Sequence, residues 1–411
     1  MVFSLGYRLS AMHDAGETES KPLLMYINVF DTAYQTRNHA QGHYNFPTPV
    51  YPTLELCANA ANPILNKDLH VELRMHQDRF LNGRFSLKVN DDHVSEIKEL
   101  ELSQEIRKLE WERVSPPASP ILDILCTAST PVYDLKRRQT LFHPHGEVNT
   151  NTSGEFLEID NGIILISAAT DSSLPILLSL KHQGKEYLDQ AYPEYLPKSF
   201  YNPYTGGLII ALEGISVANL QKENHNLAPV SLFDQHGNTW QGLVWETEIK
   251  AYKPLRGYLY RQYYLTLPGV PLLALVCEIR QDSGSASYER ITYTGFYNPG
   301  SKLDDCQIKV PIAVNRWQNL TAGRESLRIM DSYRHVIVQD IASPDMLNIL
   351  NLSKSDVFIH TDQHVARMRH SFYTNRVSGS PKWTLPQFMV FSKEIIAWDS
   401  LNSLFEIRFH Q

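Results

Sequence analysis

The stretch Gly154-Glu-Phe-Leu-Glu-Ile-Asp-Asn-Gly-Ile-Ile-Leu-Ile-Ser167 decides the fold class. Leu157 to Asp160 alternates apolar and polar residues, the period of a strand with one buried face. Gly162 to Ser167 is a short apolar run rich in β-branched isoleucine, again strand-like. Asn161-Gly162 between them is a pair that tolerates the left-handed conformations of a tight hairpin.

The same grammar recurs along the chain. Leu69-His-Val-Glu-Leu-Arg-Met75, Tyr258 to Leu267 and Tyr288 to Phe296 read as further strands. Asn82-Gly83, His236-Gly237 and Ser283-Gly284 read as turns between them. Helical windows are confined to Ile97–Glu110, Asp345–Ser353 and Asp362–His370. Many short strands with frequent turns point to all-β antiparallel sandwiches rather than alternating α/β units.

The length, 411 residues, allows two or three domains. Ser115-Pro-Pro-Ala-Ser-Pro120 reads as a stiff turn, and the polar stretch from His143 to Gly154 as an interdomain linker. The expected division is an N-terminal hairpin or extension over 1–44, a small immunoglobulin-like β-sandwich over 45–145, and one large β-sandwich over 150–411. The first segment is too short for a domain and reads as a pairing strand or the remnant of an upstream domain.

Composition limits function. Net charge is −7, so a broad phosphate-binding face is not expected, and nucleic acid is not an expected partner. The longest apolar run, Leu272 to Cys277, is strand-sized, so no membrane span is expected. The N-terminus has no apolar signal segment, and Cys57, Cys126, Cys277 and Cys306 form no CxxC. Reduced thiols and a cytoplasmic location are the expectation. No cofactor fingerprint is present; Gln281 to Ala286 fits a loose acetyl-CoA-loop pattern but lies between strands, as a hairpin turn would.

Two groups of residues carry candidate chemistry. Sugars offer apolar C–H faces and hydroxyl edges, so a site for them needs flat aromatic faces beside amide, carboxylate or hydroxyl groups. Tyr201, Asn202 and Tyr204 supply both types in one stretch, and Gly206 and Gly207 let the backbone turn sharply or approach a ligand. The second group is His236, Trp240, Trp245, Glu246, Glu248, Arg261 and Tyr263. On strands, Glu246 and Glu248 share one face, with Trp245 on the other, and Arg261 shares a face with Tyr263. An exposed loop and a solvated sheet face explain the same residues without any ligand. For catalysis, His236 with Glu246 or Glu248 is the one grouping to test. His360, His364 and His370 cluster late; the first two have helical metal-ligand spacing, but no third ligand is marked and no metal is expected.

Residues 155–300 resemble the galactose-mutarotase-like supersandwich. The resemblance rests on the strand pair from Gly154 to Ile166, on Asn202-Pro-Tyr-Thr-Gly-Gly-Leu208, and on Tyr264-Leu-Thr-Leu-Pro-Gly-Val-Pro-Leu-Leu-Ala-Leu-Val276. It implies a sugar-sized concave sheet with Asn202, Tyr204, Gly206 and Gly207 at the family-like element. The histidine acid and glutamate base of aldose epimerases have no counterpart in a matching setting, so epimerase activity is not implied. Residues 1–30 are similar, through Leu5-Gly-Tyr-Arg8 and Leu23 to Phe30, to the closing hairpin of GCN5-related N-acetyltransferases. The expected function is carbohydrate binding, as an accessory or C-terminal module of a larger carbohydrate-related or acyltransferase system with a catalytic domain in the same chain or a partner. An active epimerase or lyase on the same fold and a structural or assembly module are the alternatives.

Overall fold

The computed structural model describes residues 35–36, 44–45, 54–58, 62–65, 69–75, 81–90, 98–102, 108–114, 119–129, 134–194, 205–212, 214–281, 290–300, 305–313, 316–321, 326–329, 335–351, 356–361, 366–373, 381–396, 404 and 407–410. The resemblance drawn over residues 1–30 lies outside them. The chain forms two compact units, Met1–His143 with Ala397–Leu404, and Pro144–Ile396 with Phe405–Gln411.

The strands of the first unit pair antiparallel. Leu54–Ala58, Leu69–Met75 and Lys108–Val114 make a three-stranded sheet. Lys98–Leu102, Leu81–Val89, Ile121–Ser129 and Asp134–Phe142 make a four-stranded one. Leu87, Val89, Leu122 and Ile124 alternate inward into its core, as period two requires. Gln35–Thr36 and Tyr44–Asn45 pair as a third, two-stranded sheet. The seven strands of the two larger sheets match the smaller immunoglobulin-type sandwiches in number. Two expectations fail here. Asn82-Gly83 is inside a strand, paired with Glu101 and Leu100, rather than at a turn. Ile97–Glu110 holds parts of two strands rather than a helix.

The second unit is built on an 11-stranded antiparallel sheet. Its order runs from Arg316–Thr321 through Cys306–Ala313, His335–Asp340, Met346–Asn351, Gln387–Ser392, Leu272–Gln281, Tyr258–Thr266, Thr239–Glu248 and Asn224–Asp234 to Phe409–His410, with Lys382–Trp383 also paired to Leu272–Gln281. Two five-stranded sheets complete the unit, one from Asn149 to Glu186 and one ordered Leu208–Leu212, Arg290–Tyr297, Ala366–Tyr373, Asp356–Thr361, Ser326–Ile329. One continuous core joins all three: Ile159 and Ile166 from the first small sheet, Ile210 and Tyr293 from the second, and Leu243, Leu275, Val338 and Met389 from the large one. The unit is therefore a large all-β antiparallel sandwich.

The two decisive sequence segments meet at one side chain. Asn161, in the turn between Phe156–Asp160 and Ile164–Ala169, is 1% exposed. Its amide nitrogen donates to Thr266 Oγ1 at 2.7 Å and to the carbonyls of Leu267 and Val270, each at 2.8 Å. Its oxygen accepts the N–H groups of Ile163 and Ile164. Every hydrogen-bonding site of the amide is used, which fixes the opening hairpin to the Leu267-Pro-Gly-Val270 turn.

Three further expectations are corrected. Asn149–Ser153 lies in the stretch read as linker, yet it is a strand paired with Phe156–Asp160; all five residues are exposed, so it shows no apolar period. Met346–Asn351, read as helical, is a strand with all six residues buried. His360 and His370 stand on strands Asp356–Thr361 and Ala366–Tyr373, which removes the helical spacing; His364 lies outside the described residues.

Candidate functional site

Strand register assembles a row across one face of the large sheet. Trp383 pairs with Glu278, Glu278 with Arg261, Arg261 with Glu246, and Glu246 with Asn226. Directly paired residues project to the same face. At about 4.8 Å per strand the row is roughly 19 Å long. It carries an aromatic ring, a carboxylate, a guanidinium, a carboxylate and a carboxamide in sequence.

Hydrogen bonds tie the row together. Arg261 donates from Nε to Glu246 Oε2 at 2.6 Å and from Nη1 to Glu278 Oε2 at 3.3 Å. Tyr263, next on the same face, donates its hydroxyl to the same Glu278 oxygen at 2.8 Å. The Tyr263 ring lies under Trp383, centroids 5.1 Å apart and planes 23° from parallel. Tyr263 is buried, whereas Trp383 is half-buried, so Trp383 is the more exposed member of the stack. Exposure grades outward: the side chains of Glu278, Arg261 and Glu246 are 9%, 32% and 38% exposed. Asn226, at the far end, is exposed.

Burial alone would lower the Arg261 pKa. The hydrogen bond to Glu246 and the neighbouring charges of Glu278, Tyr263 and Glu246 outweigh it, and the pKa rises above the usual guanidinium value. The guanidinium is therefore a fixed positive charge, committed to two carboxylates. Oε1 of Glu246 and Oε1 of Glu278 have no partner among the described residues and remain acceptors.

The other candidates lie elsewhere. Trp240 is buried: its Nε1 donates to Asp234 Oδ2 at 3.0 Å, and its ring meets Phe409 edge-on at 5.3 Å. Trp245 faces the opposite way, into the sandwich core. Neither indole offers a face to a ligand, because strand alternation turns one toward each apolar layer. His236 sits in the exposed turn after Asp234, whose carboxylate accepts its backbone N–H. Seven residue steps along the strand lead from Thr239 to Glu246, roughly 23 Å. His236 therefore does not converge with Glu246 or Glu248. Glu248 is exposed and paired with Lys250 at 2.6 Å.

Tyr201, Asn202 and Tyr204 lie outside the described residues. Gly206 and Gly207 both take left-handed backbone, at φ 65° and 67°. A Cβ on Gly206 would stand 2.3 Å from the Asp189 carbonyl oxygen, and one on Gly207 2.5 Å from that of Leu177. The close backbone approach at these glycines is to the chain itself. Among the described residues, no group of three or more histidine, cysteine, aspartate or glutamate side chains is set to hold a metal ion. No helix there is long and apolar enough to cross a membrane.

Sequence reading missed Asn226, Glu278 and Trp383. Glu278 left a signal, as the one acid in the apolar strand Leu272–Gln281. Trp383 left none, because its partner is more than a hundred residues away in sequence.

No protein-family model matches the sequence, and no curated protein is similar to it. Among solved structures, the chain is similar to a TPR-domain containing protein from Parabacteroides distasonis, with 11% identity and a TM-score of 0.42 over 66% of this chain; the match spans half of that protein, 50% of its length. It is similar to the GH36 alpha-galactosidase AgaB from Geobacillus stearothermophilus, with 12% identity and a TM-score of 0.42, covering 61% of this chain and 41% of that one. It is also similar to a galactose mutarotase-like protein from Lactobacillus casei, with 9% identity and a TM-score of 0.38, covering 60% of this chain and 100% of that one. At these scores none of them bears on the chemistry of the row.

Proposed function

We propose that the protein binds carbohydrate on the outer face of its large sheet, along the row from Trp383 to Asn226. The observation that carries this reading is the half-buried Trp383 ring, held flat by Tyr263 beside Glu278 and Arg261. An indole held in place offers an apolar plane to the C–H face of a pyranose at little entropic cost. The free oxygens of Glu246 and Glu278 accept hydrogen bonds from its hydroxyls. The galactose-mutarotase-like resemblance of residues 155–300 agrees with the same ligand class.

The reading is of a binding surface. Arg261 engages both row carboxylates, and no histidine among the described residues is hydrogen-bonded to either. A glycan array at protein concentrations that capture millimolar binding tests it. The wild-type protein is expected to retain at least one glycan, and Trp383→Ala to lose it. An array blank for the wild type, or signals unchanged by the substitution, would count against the assignment.

A further inference from the structure

Resting on the carbohydrate reading, we infer that the ligand is a neutral linear oligosaccharide laid across the strands from Trp383 to Asn226, rather than a single sugar or an acidic glycan.

Length is the first argument. Five residues on five neighbouring strands share one row of roughly 19 Å, longer than one sugar ring needs. The row is also directional. Its Trp383 end is half-buried and its Asn226 end exposed. Beyond strand Asn224–Asp234 the only further pairing among the described residues is Phe409–His410, against Phe233 and Asp234. Asn226 itself is exposed, so a chain stacked on Trp383 can run outward across it.

Charge is the second argument. The one guanidinium in the row is committed to both carboxylates. A uronate or sulfate would meet the free carboxylate oxygens of Glu246 and Glu278 and gain no uncommitted cation within the row. Hydroxyl donors suit those oxygens, and the Asn226 amide can accept or donate.

Calorimetric titration of the wild type, Trp383→Ala and Asn226→Ala with cello- and malto-oligosaccharides of one to six units, and with oligogalacturonides, tests the inference. In the series that binds, affinity is expected to rise at least tenfold from one unit to four. Asn226→Ala is expected to remove most of that gain, and Trp383→Ala to weaken every length. A monosaccharide bound as tightly as the tetramer, a gain insensitive to Asn226→Ala, or tighter oligogalacturonide binding would overturn the inference and leave sugar binding standing. Binding of no probe in any series would remove both.

Discussion

The two faces of the strand Tyr258–Thr266 show opposite uses of polar groups. Inward, Gln262 is wholly buried; its Oε1 accepts the Ile210 N–H at 3.1 Å and the Tyr264 hydroxyl at 3.2 Å. Tyr264 also donates to the Leu208 carbonyl at 3.1 Å. These bonds tie the large sheet to the small sheet that faces it. Outward, Arg261 and Tyr263 bond along their own sheet, to Glu246 and Glu278. Inward polarity holds the sandwich together, while outward polarity leaves acceptors and an aromatic plane unspent.

Substitutions on either face test this contrast. The largest effect is expected at Gly242, where the backbone of the two strands comes so close that a Cβ would meet the Tyr264 carbonyl oxygen at 1.8 Å. Gly242→Val should disrupt both faces at once, costing about 4 kcal/mol or more in urea unfolding. Wild-type stability there would mean that the strands are not packed as described.

His335 marks where the outward face ceases to be a surface. It is fully enclosed, its Nε2 2.9 Å from Asn348 Oδ1, with Trp317 edge-on to its ring at 5.1 Å. Burial lowers its pKa to about 4 against the opposing hydrogen bond to Asn348. The folded protein then keeps the imidazole neutral, while the unfolded chain takes up a proton near pH 6.5. Stability is full above that pH and falls as pH drops toward 4, by about 3 kcal/mol in all. Denaturation measured between pH 4 and 7 checks it, with His335→Gln expected to flatten this part of the slope.

Gln262→Leu should cost about 2 kcal/mol, because it strands the Ile210 N–H inside the core. Sugar affinity should be unchanged. The smallest effect on stability is expected outward: Glu246→Gln breaks a half-exposed pair and should change unfolding by under about 1 kcal/mol. The same change should still weaken sugar binding. A Glu246→Gln protein destabilised as much as Gln262→Leu would erase the distinction between the faces.

Residue spacing made part of this legible. The all-β class, the hairpin at Asn161-Gly162 and the shared face of Arg261 and Tyr263 follow from period two and turn chemistry. Periodicity fails where a strand is buried on both faces, as Met346–Asn351 is, or on neither, as for Asn149–Ser153. The row was half visible. Glu246, Arg261 and Tyr263 lie close in sequence, but the register that adds Trp383 to Glu278 is tertiary and has no local trace. Trp240 and Trp245 misled because an aromatic residue in a strand reads alike whether it faces core or solvent.

Trp383 is the proposed sugar platform. Titrating the isotope-labelled protein with the best array ligand, while following the indole N–H signals of its six tryptophans, reads whether sugar meets that ring. The Trp383 signal is expected to shift saturably, with Trp240 and Trp245 in place. A bound ligand that leaves Trp383 unmoved would contradict the account.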